Sequence, residues 1–286
     1  MNGEPAPRKP RDDEIDVWGL THTGHVRKNN QDHFLLGSLR KRLDVLSCSL
    51  PELHELPLQD ERVAFLAMVA DGVGGGRKGE EASRHTLEEI TQYITDSARC
   101  YFEAEAKETD LTEALKRAAE ETHRHIQERA KGDPEAEGMA TTLTMYLGVW
   151  PWTYLLQVGD SRYYLFRNNK LEQITRDQTM GQELADQGVM TPEVARNSRL
   201  AHVLSSSIGG PETAPVITRI PASWENVHLL CSDGLTKHVS DEQIERRLRE
   251  MTSARQACET LLQDALDGGG TDNITIIVGR VVEKKA

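Results

Sequence analysis

A chain of 286 residues with 34 Lys+Arg against 46 Asp+Glu carries a formal net charge of −12. That balance excludes sequence-independent binding to nucleic acid and attraction to an anionic membrane surface as default roles. Hydrophobic residues make up 37%, and the composition is neither collagen-like nor low-complexity, so a folded soluble protein of one large domain or two smaller ones is expected.

In chain order, residues 1–14 are polar and Pro-rich, lack the apolar core of a signal peptide, and read as a disordered tail. Residues 38–61, broken by Pro51 and Pro57, read as a loop or insertion, with Arg40-Lys41-Arg42 as a solvated basic run. Arg62–Ala70 is a nearly continuous apolar run, expected to be a strand buried on both faces. Gly72, Gly74, Gly75, Gly76 and Gly79 follow it. A long helical region comes next. Ala82, Thr86, Ile90 and Tyr93 recur at helical spacing, as do Leu111, Leu115, Ala118, Thr122 and Ile126 behind Asp110 as N-cap, and Gly132-Asp133-Pro134 ends the region. Thr141–Val149 and Trp152–Val158 read as strands about a Trp-Pro turn, better than as a membrane span. Arg162–Arg167 and Lys170–Ile174 flank Asn168-Asn169, a pair suited to a hairpin turn. Residues 178–215 read as short helices and irregular segments, with a helix start at Thr191-Pro192. Asn226–Ser232 and Asn273–Val281 are expected strands, and Ser240/Gln243 and Ser253/Gln256 are expected capping boxes. The order does not alternate strand and helix, so an α+β layered fold is favoured over a doubly wound sheet. Cys48, Cys100, Cys231 and Cys258 form no CxxC pair, which fits reduced thiols in a cytoplasmic protein.

Four times an aspartate stands at the edge of an apolar or β-branched strand beside a small or turn residue: Asp71-Gly72, Asp160-Ser161, Asp233-Gly234 and Asp272-Asn273. One such pair alone reads as a turn. Four in one domain can converge on one point if the strands lie side by side. Converging carboxylates repel one another, and a cation or a proton relieves the repulsion. With no His or Cys pair beside them, an all-oxygen set suits Mg²⁺ or Mn²⁺, and such ions assist hydrolysis of phosphate esters. Gly74–Gly79 also matches GxGxxG between a strand and a helix, so a dinucleotide-binding oxidoreductase has to be weighed. Against it, no second acid-ending strand follows about 20 residues later, and Asp71 would face a pyrophosphate. The Walker pattern fails because Gly79 follows Lys78.

Gly24–Asp32 (GHVRKNNQD), Asp71–Gly75, Gly138–Thr142, Val158–Arg162, Ser232–Leu235 and Gly270–Asn273 together resemble the ordered motifs of the metal-dependent type 2C Ser/Thr protein phosphatases, the PPM family, in its bacterial branch. The resemblance spans residues 15–282, leaving 283–286 as a C-terminal tail. It implies a four-layer αββα sandwich of two antiparallel sheets flanked by helices. It further implies two Mn²⁺ or Mg²⁺ ions bridged by Asp71, with the Gly72 carbonyl on the second and Asp233 and Asp272 on the first. Asp160 would help Asp233 hold a third, weaker ion. By the same resemblance Arg27 grips the substrate phosphate, residues 178–205 form a mobile flap, and water between the two ions attacks phosphorus in line. Phosphoserine and phosphothreonine proteins would be the substrates and a Ser/Thr kinase in trans the partner.

The chain departs from the family pattern at two points. Gln31 stands where the first motif usually has Glu, beside Asp32, which keeps the other acidic position, and Asn273 completes the surroundings of the centre. Val73 stands where eukaryotic members often carry His, which leaves the proton donor unassigned. Gln31 therefore motivates an alternative, a non-catalytic binding module that keeps the fold. His22, His25 and His33 are expected on the surface or behind the site, and Trp150 and Trp152 as packing residues.

Overall fold

The computed structural model describes residues 8–42, 60–74, 77–101, 108–131 and 138–283. Its organisation starts from β3 (Glu61–Val73). Ala64, Leu66, Met68 and Ala70 face one way from this strand and pack with Ala82, Ile90, Leu115 and Ile126 of α1 (Arg77–Tyr101) and α2 (Glu108–Ala130). Ala67 and Val69 face the other way, towards Tyr163, Leu165, Leu230 and Ile277 of a second sheet. Burial on both faces explains why the sequence shows an unbroken apolar run here.

One sheet is ordered β2 (Asp32–Lys41), β3, β5 (Leu143–Val149), β6 (Trp152–Val158) and β9 (Val216–Pro221), with β4 (Ala140–Thr141) pairing the end of β3. The other is ordered β1 (Ile15–His22), β11 (Ile274–Val281), β10 (Val227–Cys231), β7 (Arg162–Arg167) and β8 (Lys170–Gln173). Every neighbouring pair is antiparallel. On the outer face of this second sheet lie α5 (Asp233–Thr236), α6 (Asp241–Arg249) and α7 (Ala254–Asp267), whose Leu235, Ile244, Leu248, Ala257 and Leu261 pack on Leu229, Ile276 and Val278. The result is the expected αββα sandwich. Between β8 and β9, α3 (Met180–Asp186), α4 (Pro192–Arg196) and a 3₁₀ turn (Arg199–His202) form a separate flap over one end. No helix among the described residues is long and apolar enough to cross a membrane.

Several expectations change. Among the described residues no strand pair is parallel and no dinucleotide-binding βαβ unit forms; Gly74 follows an antiparallel strand and Gly79 lies in a helix, with Gly75 and Gly76 outside the described residues. Residues 8–14, expected in a disordered tail, are held against the body. Arg8 pairs with the fully buried Glu14 at 2.5 Å, Arg62 donates to the Pro10 carbonyl at 2.6 Å, and Trp224 donates to the Arg8 carbonyl at 2.9 Å. The segment expected as a loop from 38 begins as strand through Lys41. Arg40 is no solvated loop residue, since it pairs with both Asp12 and Asp60 at 2.6 Å, and residues 43–59 lie outside the described set.

Local chemistry accounts for the turns and helix starts. Asn168 and Asn169 take φ of 50° and 60°, the left-handed pair that a two-residue hairpin requires. Ser240 and Gln243 form the expected box at α6. At α7 only half of it forms: Ser253 caps Gln256 N–H, but the Gln256 side-chain Oε1 accepts from Thr252 N–H instead. The second helix begins at Glu108, two residues before Asp110. Trp152 packs under the Arg219 guanidinium, 3.8 Å from ring centre.

Leu261 is fully buried between α7 and its sheet. Leu261→Ala is expected to cost about 2–5 kcal/mol of unfolding free energy, read from the midpoint of a urea transition at unchanged slope.

Candidate metal centre

Antiparallel pairing brings the strand ends carrying the aspartates to one end of the sandwich. Asp32 at the start of β2 lies directly across from Asp71 near the end of β3. Asp160 follows β6, Asp233 opens α5 after β10, and Asp272 lies two residues before β11. Asp71, Asp160, Asp233 and Asp272 line one cleft of about 840 Å³, together with Arg27, Gln31, Gly72, Lys237 and Asn273. His202, Val203 and Leu204 of the flap form its far wall.

Backbone ties hold Asp71 in place. Thr142 N–H and Thr141 Oγ1 both donate to the Asp71 carbonyl, at 2.9 and 2.8 Å, while Asp71 N–H donates to Thr142 Oγ1 at 3.1 Å. Thr142 in turn shares a 2.6 Å hydroxyl contact with Ser161, next to Asp160. Gly72 and Gly234, which the sequence offers as turn glycines, serve a different purpose. A Cβ on Gly72 would collide with the Gly79 carbonyl, and one on Gly234 with the Asn273 carbonyl. Close backbone approach, not a left-handed turn, requires glycine at both positions.

Asn273 is the clasp between the N-terminal motif and the last strand. Its amide donates to the carbonyls of Thr23 (2.9 Å) and Asn29 (3.0 Å), and its oxygen accepts from Gln31 N–H at 2.9 Å. His25 N–H adds a 2.7 Å bond to the Gly270 carbonyl. These ties carry Arg27 to Asp272, where Nε and Nη2 lie 2.8 and 2.9 Å from the carboxylate. Gln31 turns its amide to the Gly74 carbonyl at 2.7 Å, so it braces the glycine loop. His22 accepts from Gly24 N–H, and His33 meets Ser83 at 2.9 Å; neither lines the cleft.

Two residues matter more than the sequence suggested. Asp32 is buried, and its Oδ2 accepts from Ser232 and Thr275 hydroxyls at 2.7 Å each, while Oδ1 has no partner. Lys237 is the second. Its ammonium lies 2.6 Å from Asp233 and 2.7 Å from Asp272. A lysine four residues after a strand-end aspartate, one turn on along a helix, was the available signal for it.

Charge crowding sets the electrostatics. Burial, then the neighbouring carboxylates, push Asp160 up to about 8, Asp32 to about 6, and Asp71 well above the usual carboxylate range. Burial also raises Asp272, but Lys237 and Arg27 outweigh it and hold that carboxyl below its ordinary value. Among the described residues no three His, Cys, Asp or Glu side chains are drawn into a closed metal-binding group; the cations of Arg27 and Lys237 lie on Asp272 instead. The donor set nevertheless fits a hard cation. Carboxylates of one sign surround a single cleft, and Asp233 Oδ1 is buried without a hydrogen bond.

Two outcomes follow from this geometry. Asn273→Ala leaves two carbonyls and one N–H without partners and is expected to lower stability by about 1–3 kcal/mol, measured by chemical denaturation. Asp160 has a folded pKa near 8 against 3.8 when unperturbed. Its contribution to stability is therefore full below about pH 4 and is lost as pH rises to about 8. Asp160→Asn, in chelator, should gain on the order of 1 kcal/mol or more relative to the parent chain between pH 5 and pH 8.

Known proteins agree with the geometry. The family model for protein phosphatase 2C matches residues 56–268. The serine/threonine protein phosphatase PstP of Mycobacterium tuberculosis is 36% identical over 220 residues, which is 77% of this chain and 41% of that protein, so the chain spans about two fifths of this relative's length. The serine/threonine phosphatase stp of Listeria welshimeri is 31% identical over 214 residues, 74% of this chain and 83% of that protein. Among solved structures, the catalytic domain of PstP in complex with two manganese ions superposes with a TM-score of 0.71 at 31% identity, over 94% of this chain and 99% of that one. With its family motifs gathered around one carboxylate-lined cleft, this chain belongs to the protein phosphatase 2C family.

Proposed function

We propose that this chain is a Mn²⁺- or Mg²⁺-dependent protein phosphatase acting on phosphoserine and phosphothreonine, with residues 15–282 as the catalytic domain. The observation that carries the proposal is the meeting of Asp71, Asp160, Asp233 and Asp272 in one cleft beside Arg27. The manganese ions held by the PstP catalytic domain lend support. In this assignment Asp71, Asp233 and Asp272, with the Gly72 carbonyl, hold two divalent cations, and Asp160 with Asp233 flanks a place for a third. Cations held there would lower the pKa of water and draw charge from the phosphoryl oxygens.

The chain's own residues do the rest. The Arg27 fork is half-exposed and reaches the cleft from a loop, so it is free to exchange Asp272 for two oxygens of a phosphate monoester. Ser232 and Thr275 fix the Asp32 carboxyl so that its unpartnered oxygen is available to orient water. Gln31 supplies no negative charge, and its bond to Gly74 fits a bracing role, with Asn273 behind it. Val73 is exposed at the cleft and has no ionisable proton, so the side chain at this position does not replace a histidine acid. The flap at 178–205 borders the cleft and is positioned to meet the peptide around the phosphorylated residue. A Ser/Thr kinase acting in trans would supply the substrate, and the buried free thiols of Cys231 and Cys258 suit the cytoplasm.

Hydrolysis of a phosphothreonine peptide by the pure chain tests this. Activity is expected with Mn²⁺, should vanish with chelator and return on readdition. Asp233→Asn is expected to lose on the order of a hundredfold in kcat. Metal-independent turnover, or full activity in Asp233→Asn, would refute the assignment. Binding of metal or phosphopeptide with no turnover would favour the non-catalytic module that Gln31 suggests.

A further inference from the structure

Lys237 differs in kind from the other cation at the centre. Arg27 comes from a distant loop, and its side chain keeps 52% of its exposure. Lys237 is anchored one helical turn from Asp233, its N–H on the Asp233 carbonyl at 2.9 Å, and its side chain is only 25% exposed. Its ammonium bridges carboxylates from two separate strand ends, Asp233 after β10 and Asp272 before β11. An ammonium in that place does locally what a bridging divalent cation does: it offsets the repulsion that would otherwise push the two ends apart. It also faces Asp160 across the cleft closely enough to draw that carboxyl downward.

We propose that Lys237 is a tethered counter-ion that keeps the Asp233–Asp272 pair assembled in the metal-free chain and sets metal affinity by competing for those two carboxylates. The inference rests on the assignment of this cleft as a divalent-cation site. It makes Lys237 a positioning residue, acting through Asp233 and Asp272, whose two oxygens the ammonium must yield as cations enter. A fixed monovalent charge cannot match a divalent ion's field at the same oxygens, so exchange runs in favour of the metal, but at reduced net affinity. The same residue therefore protects the empty centre and weakens the filled one.

Lys237→Met removes the charge and keeps the length of the side chain; Lys237→Arg keeps the charge. The parent chain and both variants are compared by thermal unfolding in chelator and by calorimetric titration with Mn²⁺ alone. Lys237→Met is expected to melt about 3 °C or more below the parent when metal-free and to bind Mn²⁺ on the order of tenfold more tightly. Lys237→Arg should stay near the parent in both measurements. Parent-like melting and parent-like Mn²⁺ affinity in Lys237→Met would overturn the inference alone, as would weaker Mn²⁺ binding in that variant. A parent chain that takes up no Mn²⁺ would overturn the metal-site assignment as well.

Discussion

Carboxylates brought together by the ends of antiparallel strands repel each other, and the surroundings of this cleft follow from how that repulsion is held in check. Asp32 and Asp71 face each other across one strand pair, and Asp160, Asp233 and Asp272 close in from other strand ends. Left to themselves, buried charges of one sign cost several kcal/mol each. The chain meets that cost in three ways. Hydroxyls of Ser232 and Thr275 serve Asp32, the side-chain cations of Lys237 and Arg27 serve Asp233 and Asp272, and the raised pKa values of Asp160 and Asp71 make those two carboxyls hold a proton more readily. A centre balanced in this way keeps oxygen ligands facing one cleft.

The sandwich makes the convergence possible. Two antiparallel sheets share the inner core of Ala67, Val69, Tyr163, Leu165, Leu230 and Ile277, and that core fixes where their ends meet. Helices outside each sheet bury its second face, so the strands cannot slip without exposing one set of side chains. Asn273 then links the N-terminal motif to the last strand through three hydrogen bonds. Binding precision at one end of the molecule therefore depends on packing along its whole length.

Most of the architecture was legible in the sequence because burial leaves a periodic trace. The double-faced run at 62–70, the amphipathic stripe at 254–265 and the Asn168-Asn169 turn each correspond to an element that formed. The strands β1, β2 and β9 were harder to see, since many of their residues are only half-buried and alternation is blurred. Residues 8–14 misled for another reason. Their polarity suggests a tail, yet their charges find partners far along the chain, as Lys9 does at Glu61 and Arg40 at Asp12. Ion pairs between distant residues leave no local pattern.

The net charge of −12 divides in the same manner. Residues 80–137 hold 16 acidic and 8 basic residues and contribute −8, part of it on the outer faces of α1 and α2, where pairs such as Arg84–Glu88 meet solvent. The sequence by itself determined the aspartates at strand edges, their order, the arginine in the first motif, and hence the family and the kind of cation the site suits, because residue type and spacing encode ligand chemistry. Only the tertiary structure decided that Asp32 is buried among hydroxyls, that Gln31 braces a glycine loop, and that Lys237 spans Asp233 and Asp272. Those roles depend on distances between residues tens to hundreds of positions apart, and such distances exist only once the sheets have packed.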